Sequence, residues 1–162
     1  MQKQKTEEFD KFFKFPFDPI KVFRFYMKDI QDYSETKRKI LFYIAQRFDQ
    51  EGNIYLIVNV VVEFFLKKTE NCQVMILSLI DSIIHEIRPV KAGVQSKTKN
   101  FLYFLKRSLV KMAMKSFNQE KNLRIKFKFE YYLKKWLRNE LITVKKFLNI
   151  MGIVAYGPSN NK

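Results

Sequence analysis

The most apolar stretch of this 162-residue chain, Ile54 to Leu66, constrains the fold more than any other segment. It is only thirteen residues long and contains Asn59 and Glu63, so it is too short and too polar to span a bilayer. Its β-branched residues are typical of a strand, but its length favours a buried helix. A chain of this size buries roughly 70% of its unfolded surface and can enclose such a helix in a core.

Apolar residues recur at helical spacing along most of the chain after residue 33. Ser34 is typical of a helix N-cap, and Glu35 follows in the first turn. Asn71 is a candidate cap for the third helix. The pattern predicts six helices, over 34–50, 54–68, 71–87, a segment ending at 117, 123–141 and 144–156.

Polar residues form one stripe along the predicted third helix. The stripe contains Ser78, Asp81, Ser82, His85 and Glu86. We expect it to be solvated or to face a partner. A serine, an aspartate and a histidine also suggest a hydrolase, but one helix face supplies neither a specially presented nucleophile nor an oxyanion hole. No catalytic residue is therefore predicted.

Besides short turns, three segments are predicted to lie outside the helices. Residues 1–33 are rich in phenylalanine and contain Pro16 and Pro19, which cannot continue a helix; they are predicted to form a non-globular N-terminal arm. Arg88-Pro89 ends the third helix, and residues from about 90 to 105 are compatible with a basic β-ribbon. Residues 101–105 fit its return strand and equally fit the start of the next helix. Residues 157–162 form a polar tail.

The excess positive charge is confined to the second half of the chain. Residues 1–87 carry 13 Lys+Arg and 13 Asp+Glu, whereas residues 88–162 carry 18 Lys+Arg and only three acids, which accounts for the net charge of +15. Such a field favours a polyanionic partner. Tyr103, Tyr131, Tyr132 and Trp136 are interleaved with these cations, which suits RNA through base stacking and phosphate contacts. A solvated surface or an anionic membrane patch are the alternatives.

Several other kinds of chemistry are poorly supported. One cysteine and one histidine argue against a disulfide and a zinc site, and no cluster of acids has metal-binding spacing. Four glycines do not build a phosphate-binding loop. The sequence therefore predicts no metal, no cofactor and no enzymatic activity.

The order of several short motifs resembles small-subunit ribosomal protein seven of the bacterial and organellar type, from about Lys37 to Tyr156. The core-helix run Ile57–Glu63 is similar to the family's second core helix. Ile83–Pro89 is similar to the helix end that leads into its β-ribbon. The other matching runs are Val94-Gln95-Ser96, Lys106-Arg107, Met112–Lys115, Leu137–Leu141 and Val144–Lys146.

This resemblance implies a mainly α fold, a bundle of about six helices with one protruding β-ribbon. The rRNA-binding domain would cover residues 34–156 and bind the 3′ domain of the small-subunit rRNA. It would organise the subunit head beside neighbouring ribosomal proteins, near the mRNA exit and exit-site tRNA. Together with the charge pattern, it predicts RNA contacts by Arg88, Lys91, Lys97, Lys99, Lys106, Arg107, Lys111, Lys115, Lys145 and Lys146.

The chain also departs from the family. The ribbon tip is shorter and lacks paired glycines, Gln50-Glu51 replaces paired lysines, and Ser116 replaces an aromatic residue. The chain is rich in Lys, Asn, Ile, Phe and Tyr, which AT-rich codons encode. This composition and the absence of a signal or transit pattern favour a mitochondrial, organelle-encoded protein. A plastid or an AT-rich bacterial cytoplasm is the alternative location. A basic structural subunit of another organellar assembly, docked through its N-terminal arm, is the alternative function.

Overall fold

The computed structural model of the protein describes residues 18–87, 100–117 and 123–156, with side chains described as far as residue 152. This part of the chain is built from seven α-helices and contains no strand. The helices are α1 (Pro19–Lys28), α2 (Glu35–Gln50), α3 (Ile54–Lys67), α4 (Glu70–Glu86), α5 (Phe101–Phe117), α6 (Leu123–Arg138) and α7 (Val144–Tyr156). The mainly α prediction is confirmed.

The apolar helix α3 lies at the centre of the bundle. It packs against α1, α2, α4 and α5, and seven of its fourteen residues are buried. Its β-branched residues lower helix propensity only slightly, and burial on several sides outweighs that preference. The interpretation of this segment as a buried helix is therefore correct.

Helix α1 corrects the prediction of an N-terminal arm for the residues that the structure describes. Pro19 is at the start of the helix, where its missing N–H costs nothing, and the Asp18 carboxylate accepts a hydrogen bond from the Ile20 N–H at 3.1 Å. Phe23 and Met27 are fully buried. The proline that was expected to prevent a helix instead begins one. Residues 1–17 of the predicted arm lie outside the described residues.

Helix α5 corrects the proposed return strand of the ribbon. It begins at Phe101, and the Asn100 side chain accepts a hydrogen bond from the Tyr103 N–H at 2.9 Å. Phe101, Leu105 and Leu109 are buried on one side of the helix. Since this apolar side packs against α3 and α7, residues 101–105 continue a helical pattern. The remainder of the proposed ribbon, residues 90–99, lies outside the described residues.

Helices α4 and α6 run parallel and are linked at both ends of their contact. The Glu70 carboxylate accepts a hydrogen bond from the Ile125 N–H at 2.9 Å, and further along Asp81 accepts one from the Trp136 indole N–H at 2.9 Å. Helix α4 begins one residue before the predicted cap, Asn71. Helix α6 ends at Arg138, three residues earlier than predicted, because the chain turns at Glu140, where φ is 57°.

Candidate nucleic-acid interface

The most uniform basic surface of the described residues lies on α5. This helix carries four cations and no acid. Arg107, Lys111 and Lys115 are exposed at four-residue spacing, so their side chains follow one another along the same side with a rise of about 6 Å per step. Lys106 is half-buried. The predicted row of cations is therefore present as an exposed surface feature.

An aromatic surface adjoins the first cation of this row. The Tyr103 ring lies 5.2 Å from the Phe104 ring and nearly perpendicular to it, and Tyr55 of α3 lies 5.9 Å from Phe104 on a neighbouring helix. The Arg107 guanidinium lies 4.9 Å from the centre of the Tyr103 ring and donates a hydrogen bond to its hydroxyl at 2.8 Å. Tyr55, Tyr103, Phe104 and Arg107 together form what we call the aromatic platform.

The other predicted RNA contacts are divided between α7 and the residues outside the described part. Lys145 is exposed and Lys146 is half-buried in the first turn of α7, where the Thr143 hydroxyl accepts a hydrogen bond from the Lys146 N–H at 3.2 Å. Helix α7 packs against α5 and α6. The structure does not describe Arg88, Lys91, Lys97 and Lys99.

Of the aromatic residues predicted to stack on RNA, only two are accessible. Tyr103 and Tyr131 are 37% and 53% exposed, whereas Tyr132 is 8% exposed and Trp136 is fully buried. Tyr132 and Trp136 stack on one another, with centroids 6.0 Å apart, on the side of α6 that packs against α4. The prediction that these two residues bind RNA is therefore wrong, because helical spacing turns them away from Tyr131 and into the core.

Helix α6 presents a second exposed row, in which apolar and basic side chains alternate. Leu123 and Phe127 are 60% and 64% exposed, and Tyr131 continues the row. The Lys128 ammonium lies 5.6 Å from the Tyr131 ring, and Lys134 forms an ion pair with Glu130 at 2.6 Å. This surface is more aliphatic and its charge is partly neutralised, so it differs from the acid-free surface of α5.

The predicted polar stripe of α4 is solvated only at its C-terminal end, where His85 and Glu86 are exposed. Asp81 is only 9% exposed. Its carboxylate accepts hydrogen bonds from the Lys135 ammonium at 2.6 Å and the Trp136 indole at 2.9 Å. The hydrogen bond with Asp81 raises the pKa of Lys135 above its usual value. The part of the stripe formed by Ser78 and Asp81 thus faces another helix of the same chain.

The same contacts explain the serine, aspartate and histidine of this stripe without a catalytic role. The Ser78 hydroxyl lies 2.9 Å from the Tyr132 hydroxyl and 3.3 Å from the Val74 carbonyl. The His85 Nδ1 lies 2.7 Å from the Asp81 backbone carbonyl. Ser78 and Asp81 therefore join α4 to α6, whereas His85 contacts only its own helix.

Two general properties of the described surface bear on possible partners. None of the described helices combines the length and the apolar character that crossing a membrane would require. Among residues 18–87, 100–117 and 123–156, no three His, Cys, Asp or Glu side chains are grouped as metal ligands.

The comparisons with known proteins add no family or relative. No protein-family model matches the chain, and neither the curated proteins nor the solved structures yielded a significant match.

Proposed function

We propose that this protein is a non-enzymatic, rRNA-binding constituent of a mitochondrial small ribosomal subunit. In this role it binds the 3′ domain of the small-subunit rRNA and helps to organise the subunit head. The neighbours implied are head proteins, with mRNA and exit-site tRNA close to the remaining part of the predicted ribbon, residues 90–99. The protein belongs, on this proposal, with the ribosomal protein seven type that its motifs resemble.

The observation that carries the proposal is the acid-free row of Arg107, Lys111 and Lys115. Three exposed cations at regular spacing are suited to successive phosphates, which supply most of the affinity in nucleic-acid complexes. Five of the ten acids in residues 18–87 form ion pairs with Lys or Arg; Glu63, for example, is bound by Arg24 at 2.8 Å and Lys67 at 3.0 Å. Only the second half retains a large unbalanced charge.

A triple variant tests this row directly. The probe is an RNA that contains the multi-helix junction of the small-subunit rRNA 3′ domain, called the junction RNA below. We expect R107Q/K111Q/K115Q to weaken binding to this RNA. The number of phosphate contacts inferred from the salt dependence of binding should fall by about three. The matched control is K21Q/K28Q/K39Q, which removes the same charge from exposed positions on α1 and α2. Filter binding at several salt concentrations measures both quantities.

The two variants separate a local contact from a general charge effect. Equal losses in both would show that only net charge matters, and an unchanged affinity in the α5 variant would remove this row from the interface. Anionic vesicles provide the second arm of the experiment. Vesicle binding as tight as RNA binding would favour the alternative, a subunit of another organellar assembly.

A further inference from the structure

We propose that the aromatic platform of Tyr55, Tyr103, Phe104 and Arg107 binds an unpaired RNA base by stacking, next to the phosphate-binding row of α5. This inference rests on the proposed function and adds a class of ligand to it. The row of cations alone would bind any RNA backbone. The platform adds a preference for single-stranded RNA whose bases are accessible.

The platform is held in place by contacts between two helices. Phe104 is half-buried and lies between Tyr55 of α3 and Tyr103 of α5, with ring centroids 5.9 Å and 5.2 Å away. The two tyrosines are 40% and 37% exposed. Because α3 and α5 pack closely together, the exposed phenol rings are presented by a rigid part of the bundle rather than by a loop.

Arg107 combines the two kinds of contact that a nucleotide offers. Its guanidinium lies 4.9 Å from the centre of the Tyr103 ring, and the hydrogen bond to the Tyr103 hydroxyl at 2.8 Å restrains it there. A base can stack on an aromatic ring or on a guanidinium plane, and the positive charge also attracts the adjoining phosphate. Lys111 and Lys115 continue the cationic row for the following phosphates.

The composition of the patch favours RNA over a protein partner. Tyr55 and Tyr103 are the exposed large apolar side chains of α3 and α5 in the part of the chain that the structure describes. Both have flat π-faces, and the patch has no exposed large aliphatic side chain of the kind that Leu123 supplies on α6. A nucleotide offers its base to the aromatic rings and its phosphate to the cations, whereas an acidic peptide would need only the cations.

The test compares three probes with the full-length chain: an oligouridylate of about ten nucleotides, an abasic ribose-phosphate strand of the same length, and an RNA duplex. We expect the base-bearing strand to bind about ten-fold more tightly than the abasic strand. Tyr103→Leu should remove this difference. Tyr103→Phe retains the ring and should retain most of the difference.

Phe25→Leu is the control, since Phe25 is a 61% exposed aromatic residue on α1. This variant should bind all three probes like the wild type. Tyr55→Leu provides a second variant should Tyr103→Leu unfold. Thermal unfolding checks that each variant is folded under the binding conditions.

The possible results distinguish this inference from the proposed function. If Tyr103→Leu and Tyr55→Leu both retain the preference, or if the wild type binds base-bearing and abasic strands equally, stacking is excluded while phosphate binding by α5 stands. If polyglutamate competes as well as the oligouridylate, the platform is a site for acidic protein. If no RNA binds, both proposals fail.

Discussion

Asp81 shows how one buried carboxylate links two helices of this fold. It accepts hydrogen bonds from the ammonium of Lys135 and from the fully buried indole of Trp136. Removing a buried acceptor leaves the opposing donor desolvated and without a partner, and that penalty exceeds the net value of the hydrogen bond itself. Asp81 is therefore expected to matter for stability.

We predict that Asp81→Ala lowers the free energy of unfolding by about 2–3 kcal/mol, because the Trp136 N–H loses its acceptor. Asp32→Ala is the matched control. Asp32 also accepts a hydrogen bond from a lysine, Lys37, at 2.9 Å, but it is 83% exposed, so its loss should cost at most about 0.5 kcal/mol. Urea unfolding measures both. Similar small losses in the two variants would contradict the role given to Asp81.

Glu63 illustrates how a carboxylate makes stability depend on pH. Hydrogen bonds from Arg24 and Lys67 lower its pKa from 4.5 to about 2. Since the pKa is lowered in the folded state, the resulting stability is complete above pH 4.5 and is lost as the pH falls towards 2. Glu63 is thus a source of acid sensitivity at the contact between α1 and α3.

We predict that Glu63→Gln is less stable than the wild type at neutral pH and that this difference shrinks as the pH falls from 4.5 towards 2. Urea unfolding at a series of pH values measures the difference. Glu86→Gln, at an exposed position near the end of α4, is the control. A difference that stayed constant with pH would show that Glu63 contributes by packing and not by its charge.

At the scale of elements, α1 is a structural part of the bundle. It packs against α2 and α3, and Phe23, Met27 and Ile30 are buried. Lys68 at the end of α3 also donates a hydrogen bond to the Lys28 carbonyl at 3.1 Å. A segment expected to lie outside the domain instead covers one side of the central helix.

We predict that Phe23→Ala destabilises the protein by about 3–5 kcal/mol, because it leaves a cavity in the core. The neighbouring Phe25 is 61% exposed, and Phe25→Ala should change stability by no more than about 0.5 kcal/mol. The two variants remove the same side chain from opposite sides of one helix. Equal effects in thermal or urea unfolding would show that α1 does not belong to the core.

At the scale of the whole molecule, the net positive charge is confined to one half of the chain, whereas the core is built from both halves. The formally neutral residues 1–87 provide α1 to α4, including the central helix, whereas residues 88–162 carry the net charge of +15. The basic half still contributes buried residues such as Leu109 and Trp136. Its cations therefore have to lie on the outer sides of helices whose inner sides belong to the same core.

We predict that RNA affinity falls steeply with salt, with a log–log slope near −5 if about six phosphates are neutralised. Binding isotherms for the junction RNA at several salt concentrations measure this slope. An uncharged dextran at matched osmolality controls for non-ionic effects. A slope near zero would contradict phosphate-driven binding by this half of the chain.

Local patterns are sufficient for six of the seven helices in the part of the chain that the structure describes, and for the exposed row on α5. The spacing of apolar residues reports which side of a helix is buried, and this is a property of neighbouring residues in the chain. For the same reason, Arg107, Lys111 and Lys115 could be assigned to one side before their surroundings were known. The pattern does not predict helix α1, because a proline that cannot continue a helix can equally begin one, as Pro19 does.

The sequence by itself determined the helical class, the buried character of α3 and the concentration of positive charge in the second half. Only the tertiary structure decided that Asp81 meets Trp136, that Tyr132 is buried while Tyr131 is exposed, and that Tyr55 joins Tyr103 and Arg107 on one surface. The physical reason is that periodicity specifies which side of a helix is polar, but the partner of a polar or aromatic side chain depends on how distant helices pack.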